Sequence, residues 1–225
     1  MSDVKPILFN IEMVRALLAG RKTVTRRVVK PQPHCYGPSV AYPKHEEKFF
    51  IDQNAGWLQC SVCGNFPQYS REGTEVCHFW APLYRPGDIL YVRETFKIDF
   101  LSNIPGSGKI HYKADDTYSD FTFAPERYEM MRRAQLKPGW RPNENMPREA
   151  ARIFLRVMDV RVERLRPISD TACMAEGITC AWNVDLPDAF AEMWDSTIKP
   201  EDRTLYGWDA NPWVWVIEFE RTEKP

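Results

Sequence analysis

The chain has no apolar run approaching the length needed to cross a bilayer, and Met1-Ser2-Asp3-Val4-Lys5 does not read as a secretory signal. That pattern speaks against membrane partners and makes the cytoplasm the expected address. An excess of charge is missing too: 30 Lys and Arg stand against 31 Asp and Glu, a formal net charge of −1. A protein that coats nucleic acid through a broad basic surface needs a cationic excess, so that class is disfavoured. A compact ligand gripped by a local arginine cluster stays compatible. No repeat or low-complexity tract appears, and the six cysteines lack the second two-residue spacing of a full zinc ribbon.

What remains is enough chain to bury a sizeable core. At 225 residues, one domain spanning 1–225 with insertions is expected. Aromatic content is 13%, with eight tryptophans, so most rings are expected in the core and a few as stacking platforms.

The densest polar chemistry lies in Gly20-Arg21-Lys22-Thr23-Val24-Thr25-Arg26-Arg27. Lysine and hydroxyl groups three apart suggest a base and a nucleophile; the arginines suggest an anionic or hydrogen-bond-rich ligand. The competing reading is a solvated basic turn at a helix C-terminus, where cations complement the dipole. The preceding helix is predicted over Ile11–Ala19, capped by Asn10 and stopped by Gly20, with Val14, Leu17 and Leu18 as its apolar stripe. Lys22 and Thr25 would meet if the segment made a tight turn, and would point apart in an extended strand.

Further along, Pro31 to Arg85 is rich in Pro, Gly, Tyr, His and Cys without sustained periodicity and reads as an insertion, 31–85, held by irregular structure or a metal. A strand is predicted at Asp88–Phe96, with Ile89, Tyr91 and Arg93 opposite Leu90, Val92 and Glu94. A second insertion, 103–147, carries a strand at Lys109–Lys113 and an ordered loop around Trp140. In Arg152–Leu165 the alternation slips at Met158-Asp159, which predicts a bulge. Ser169 and Asp170 cap a helix through Ala175 and leave Glu176 at its C-terminal end, where the dipole disfavours a carboxylate. A helix at Pro187–Thr197 and an alternating strand at Trp213–Arg221 complete the pattern.

Cys60-Ser61-Val62-Cys63 has the spacing of a metal knuckle. With Cys77 and either Cys35 or His78 it would bind zinc as a structural staple for the first insertion, no cofactor being expected for catalysis. Buried reduced thiols are the alternative, and Cys173 and Cys180 are read as core.

The run from Pro6 through Thr25 resembles the opening of the ASCH domain family, relatives of the PUA RNA-binding fold. Pro86-Gly87-Asp88-Ile89-Leu90-Tyr91-Val92 resembles that family's G-D-x-L-x-V strand, and Ile153–Leu165, Ala175–Ile178 and Trp213–Phe219 resemble its later elements in order. The resemblance covers a little under half of the chain. It implies an α+β fold, a small mixed β-barrel of PUA/ASCH type with flanking helices and two insertions.

Certain small bacterial ASCH proteins are amidohydrolases that cleave N4-acetylcytidine to cytidine. Their lysine, threonine and glutamate match Lys22, Thr25 and Glu176, so the resemblance implies an amidohydrolase acting on N4-acylated cytidine, a small-molecule nucleoside. This chain departs from them in its length and in carrying Arg26 where they have an apolar residue. A threonine nucleophile needs a base, and a lysine serves only when its charged form is disfavoured. Phe9, Tyr91, Trp213 and Trp215 are candidate stacking surfaces for the base, and Arg27, Arg93 and Glu94 candidate hydrogen-bonding groups. The structural readings are Lys22 as a phosphate contact, Thr25 as a strand-surface hydroxyl, Glu176 as a partner for Arg26 or Arg93, and the terminal-strand aromatics as core. The rival functions are an RNA- or modified-base-binding module without catalysis, and a ribonuclease.

Overall fold

The computed structural model describes residues 4–35, 47–52, 56–61, 68–71, 74–77, 80–102, 106–179 and 184–225. In chain order the strands and helices begin with β1 (Val4–Leu8), α1 (Ile11–Leu18) and β2 (Val24–Val28). Four short strands follow: β3 (Phe49–Ile51), β4 (Leu58–Cys60), β5 (Gln68–Arg71) and β6 (Thr74–Cys77). Next come β7 (Ile89–Arg93), β8 (Phe96–Leu101), β9 (Ser107–Tyr112), β10 (Tyr118–Thr122) and α2 (Tyr128–Gln135). The last are β11 (Phe154–Arg164), α3 (Asp170–Ala175), α4 (Leu186–Thr197), α5 (Arg203–Tyr206) and β12 (Trp213–Thr222).

The chain divides into two compact units: Met1–Thr23, Gly87–Val157 and Phe219–Pro225 form one, Val24–Pro86 and Met158–Glu218 the other. In the first unit β1 runs parallel to β7, with Ile7 beside Val92, and the start of β11 pairs antiparallel with β7, Phe154 opposite Tyr91. A separate antiparallel sheet, in the order β10-β9-β8, turns Phe96, Ile98, Ile110, Tyr112 and Phe121 inward onto Met131 of α2 and Met146. Its other face carries Lys97, Lys109 and His111, as expected of an antiparallel sheet covered on one side.

In the second unit β12 runs antiparallel to β2 and has β11 as its other neighbour. Val24, Val214 and Val216 pack with Leu165, Ile168, Cys173, Phe190 and Trp194, so α3 and α4 bury their apolar stripes on this sheet. Two hairpins, β3-β4 and β5-β6, complete the unit.

The α+β class agrees with the sequence expectation. Among the described residues the strand ladders are open, and closure into a barrel is not part of them. The first insertion differs from its irregular reading, since it holds four strands. Runs of three or four residues are too short to show alternation in sequence. The strand expected at Asp88–Phe96 is two, β7 and β8, with Glu94-Thr95 between them. No helix among the described residues is long and apolar enough to cross a membrane.

Candidate functional site

Helix α1 places Lys22. Asn10 Oδ1 accepts the Met13 N–H at 2.9 Å, and Val14, Ala16 and Leu17 are buried. Gly20, at φ +71°, reverses the chain, and the Arg21 and Lys22 N–H groups both donate to the Ala16 carbonyl at 2.9 and 3.2 Å. The turn leaves Arg21 and Thr23 exposed and brings Lys22 inward, 3% exposed. Its Nζ lies 5.5 Å from the centre of the Phe9 ring, which is buried against Phe219 at 6.2 Å. Phe9 is thus a core ring that meets the lysine nitrogen.

The tight turn that would set Lys22 beside Thr25 is not formed. Arg21–Thr23 have no regular structure, and from Val24 the backbone is strand, because Val24 to Val28 enter the ladder with β12. Lys22 belongs to the first unit; Thr25, Arg26, Arg27 and Glu176 belong to the second.

Within the second unit, Thr25 faces Ile217 and Arg27 faces Trp215 across the ladder, while Arg26 sits opposite Val216. Thr25 is 1% exposed, and Trp215 is buried. Ser169 Oγ accepts the Ala172 N–H at 3.2 Å and opens α3; the Glu176 N–H closes it on the Ala172 carbonyl at 3.0 Å. The helix end therefore delivers the Glu176 carboxylate to β2, where its Oε1 accepts from Arg26 Nη1 at 3.2 Å. Glu163 lies 3.8 Å from the same guanidinium, and the Phe190 ring centre 6.0 Å away. Arg26 Nε is buried and has no hydrogen-bond partner among the described residues. Burial lowers the Arg27 guanidinium below its ordinary value, against the pull of Tyr84 and Glu176. A guanidinium and a carboxylate withdrawn from water, with the half-buried Arg27 near them, could orient a polar ligand, or bind one another at a net cost.

The first unit holds the other expected binding residues. Tyr91 is half-buried on β7 between Pro6 and Phe154. Arg93 donates from Nε to the Met146 carbonyl at 3.0 Å and from Nη2 to the Glu144 carbonyl. Buried Glu94 takes a two-pronged grip from Arg152, Nε to Oε1 at 2.8 Å and Nη2 to Oε2 at 2.9 Å. Arg152 also reaches Asp115 at 2.8 and 2.9 Å and lies 3.9 Å over the Tyr112 ring. Burial pushes the Glu94 carboxyl up despite Arg152; it opposes the shift at Asp115, whose carboxyl is lowered by hydrogen bonds from Arg152 and Thr117. Both arginine and glutamate in this pair hold the hairpin of β9 and β10 to the end of β7. Arg152 was not among the expected site residues, although a lone charge within Ala150-Ala151-Arg152-Ile153 marks a position that must find a partner.

Trp213 is core: Phe49 meets it edge-on at 4.9 Å and Arg164 covers it at 4.4 Å. Cys60 is buried at the end of β4, Cys35 is half-buried, and burial pushes the Cys173 thiol up to about 11. Among the described residues no three His, Cys, Asp or Glu side chains gather as metal ligands. Cys63, His78, Cys180 and the side chain of Cys77 lie outside the described residues.

Compared with known protein families, with curated proteins and with solved structures, the chain matches none.

Proposed function

We propose that the protein is an amidohydrolase of ASCH type that removes the acyl group from N4-acylated cytidine, on the PUA-related barrel this reading expects. One observation carries it: the polar side chains singled out by their chemistry are withdrawn from water. A solvated basic turn would expose Lys22 and Thr25 as it does Arg21 and Thr23; instead Lys22, Thr25 and Glu176 are all buried. Burial is what disfavours a charged lysine and makes it usable as a base.

In this reading Lys22 has the role of the base and Thr25, deprotonated, that of the nucleophile whose oxygen attacks the acyl carbon. The oxyanion needs donors already in place; with no turn at Thr23–Arg26, the arginines take that role, and the unpartnered Arg26 Nε supports it. The proton taken from Thr25 is relayed through the Glu176 carboxylate, oriented by Arg26, to the departing N4 nitrogen; water then cleaves the acyl-threonine, releasing the carboxylic acid and restoring the hydroxyl. Incubation of the purified protein with N4-acetylcytidine tests this: the absorbance of cytidine should grow in, and its absence would overturn the substrate assignment. A structural zinc on Cys60, Cys63 and Cys77 with Cys35 or His78 belongs to the same proposal, supported by the knuckle spacing; elemental analysis should return about one zinc per chain.

A further inference from the structure

The solvent face of the sheet β10-β9-β8 carries chemistry that the proposed reaction does not use. Lys97, His111 and Tyr118 are register partners across its three strands, so they form one row on that face. With strands about 4.8 Å apart, the row spans about 10 Å from the lysine to the tyrosine. Tyr118 lies flat on His111, ring centres 4.0 Å apart and planes 14° apart, and is 52% exposed. One face of the phenol ring covers the imidazole; the rest is open to solvent.

Trp140 closes the row from above. Two backbone hydrogen bonds between Arg141 and Phe96, at 2.6 and 3.2 Å, pin its neighbour to β8. Its ring centre is 4.8 Å from that of His111, and Lys97 Nζ and Lys113 Nζ stand 5.5 and 5.7 Å from it. Neither lysine has an acidic partner among the described residues, whereas Lys109 in the next row faces Asp120. A carboxylate at the stack, Asp116, is occupied by His111 Nε2 at 2.5 Å. The other imidazole nitrogen, Nδ1, is buried and has no partner among the described residues, in a side chain only 7% exposed.

We infer that this face binds single-stranded nucleic acid, an unpaired base stacking on Tyr118 and the adjoining phosphates lying against Lys97 and Lys113. An acidic peptide would use the lysines and leave the open aromatic ring in water. A duplex would use them too, but its bases are already stacked on one another. A stacking ring beside two lysines that make no ion pair among the described residues suits a strand that offers both an unpaired base and a phosphate. The net charge of −1 is no obstacle, because the contact is local and needs two lysines, not a basic surface. The inference does not rest on the amidohydrolase reading and uses none of its residues.

The test is fluorescence anisotropy of the full-length protein with short labelled oligouridylate, oligodeoxyuridylate and a duplex, at low and raised salt. Either single strand should bind, weaken as salt rises and exceed the duplex; the ratio of the two names the sugar. Tyr118→Ala should lose about tenfold or more in affinity while Tyr118→Trp keeps it. Lys97→Gln with Lys113→Gln should weaken binding and flatten the salt dependence. Circular dichroism melts confirm that the variants fold. No binding of either strand at low salt, equal binding of the duplex, or an unchanged affinity in Tyr118→Ala would each overturn the inference.

Discussion

Arg26 and Glu176 meet inside the second unit, Nη1 to Oε1 at 3.2 Å, with 5% and 2% of their side chains exposed. A pair so dry is stabilised by its own attraction and opposed by the loss of water around both charges. Removing one partner is far worse than removing both. Arg26→Met is therefore expected to destabilise the fold by about 3 kcal/mol or more, and Arg26→Met with Glu176→Gln by less than the sum of the two single changes. Urea unfolding of the four proteins measures the coupling; simple additivity would mean that the pair does not interact.

The two carboxylates on Arg152 should titrate in opposite senses. Asp115 is lowered in the folded state, so its contribution is complete above the ordinary aspartate value, about 3.9, and disappears as pH falls through the folded value. The stability gap between the wild type and Asp115→Asn should be wide at neutral pH and close in acid. Glu94 is raised, mainly by burial, so the folded state prefers it protonated. Its ionisation works against folding as pH rises from the ordinary glutamate value, about 4.3, toward the folded one. Chemical denaturation across that range, with Glu94→Gln as reference, should show the opposite slope.

If Lys22, Thr25 and Glu176 act as one unit, Lys22→Ala, Thr25→Ala and Glu176→Ala should each lose about a hundredfold or more in turnover of N4-acetylcytidine. Thr25→Ser should keep part of the activity, since the hydroxyl remains. Near-normal turnover by Thr25→Ala would transfer the attack to a base-activated water and leave Lys22 and Glu176 as the residues to test.

The helix that delivers Lys22 depends on its two ends. Asn10→Ala removes the oxygen that caps Met13 N–H and should cost about 1 kcal/mol. Gly20→Ala meets nothing within 4 Å, so its cost, about 1 kcal/mol, comes from holding an L-residue at φ +71°. Thermal melts of both variants check this; a larger loss in Gly20→Ala than in Asn10→Ala would show that the Lys22 approach is strained as well.

Local signals were legible in the sequence because their partners lie within one turn. Asn10 and Met13, Ser169 and Ala172, and Gly20 with its left-handed backbone are read from spacing alone, and the structure places each where it was expected. The slip in β11 is equally local: Leu155 and Val157 are buried, then Val160 and Val162, one step out of phase. Helix α2 escaped notice because Met131 is its one buried residue, too little for an apolar stripe. The candidate site is another matter. Its residue types were visible, but Arg26 and Glu176 are 150 residues apart in the chain, and Glu94 and Arg152 are 58 apart. Which carboxylate a buried arginine meets follows from strand register and helix docking. Local propensity therefore determined the caps, stops and phases, and only the tertiary packing decided which charges share a dry interior.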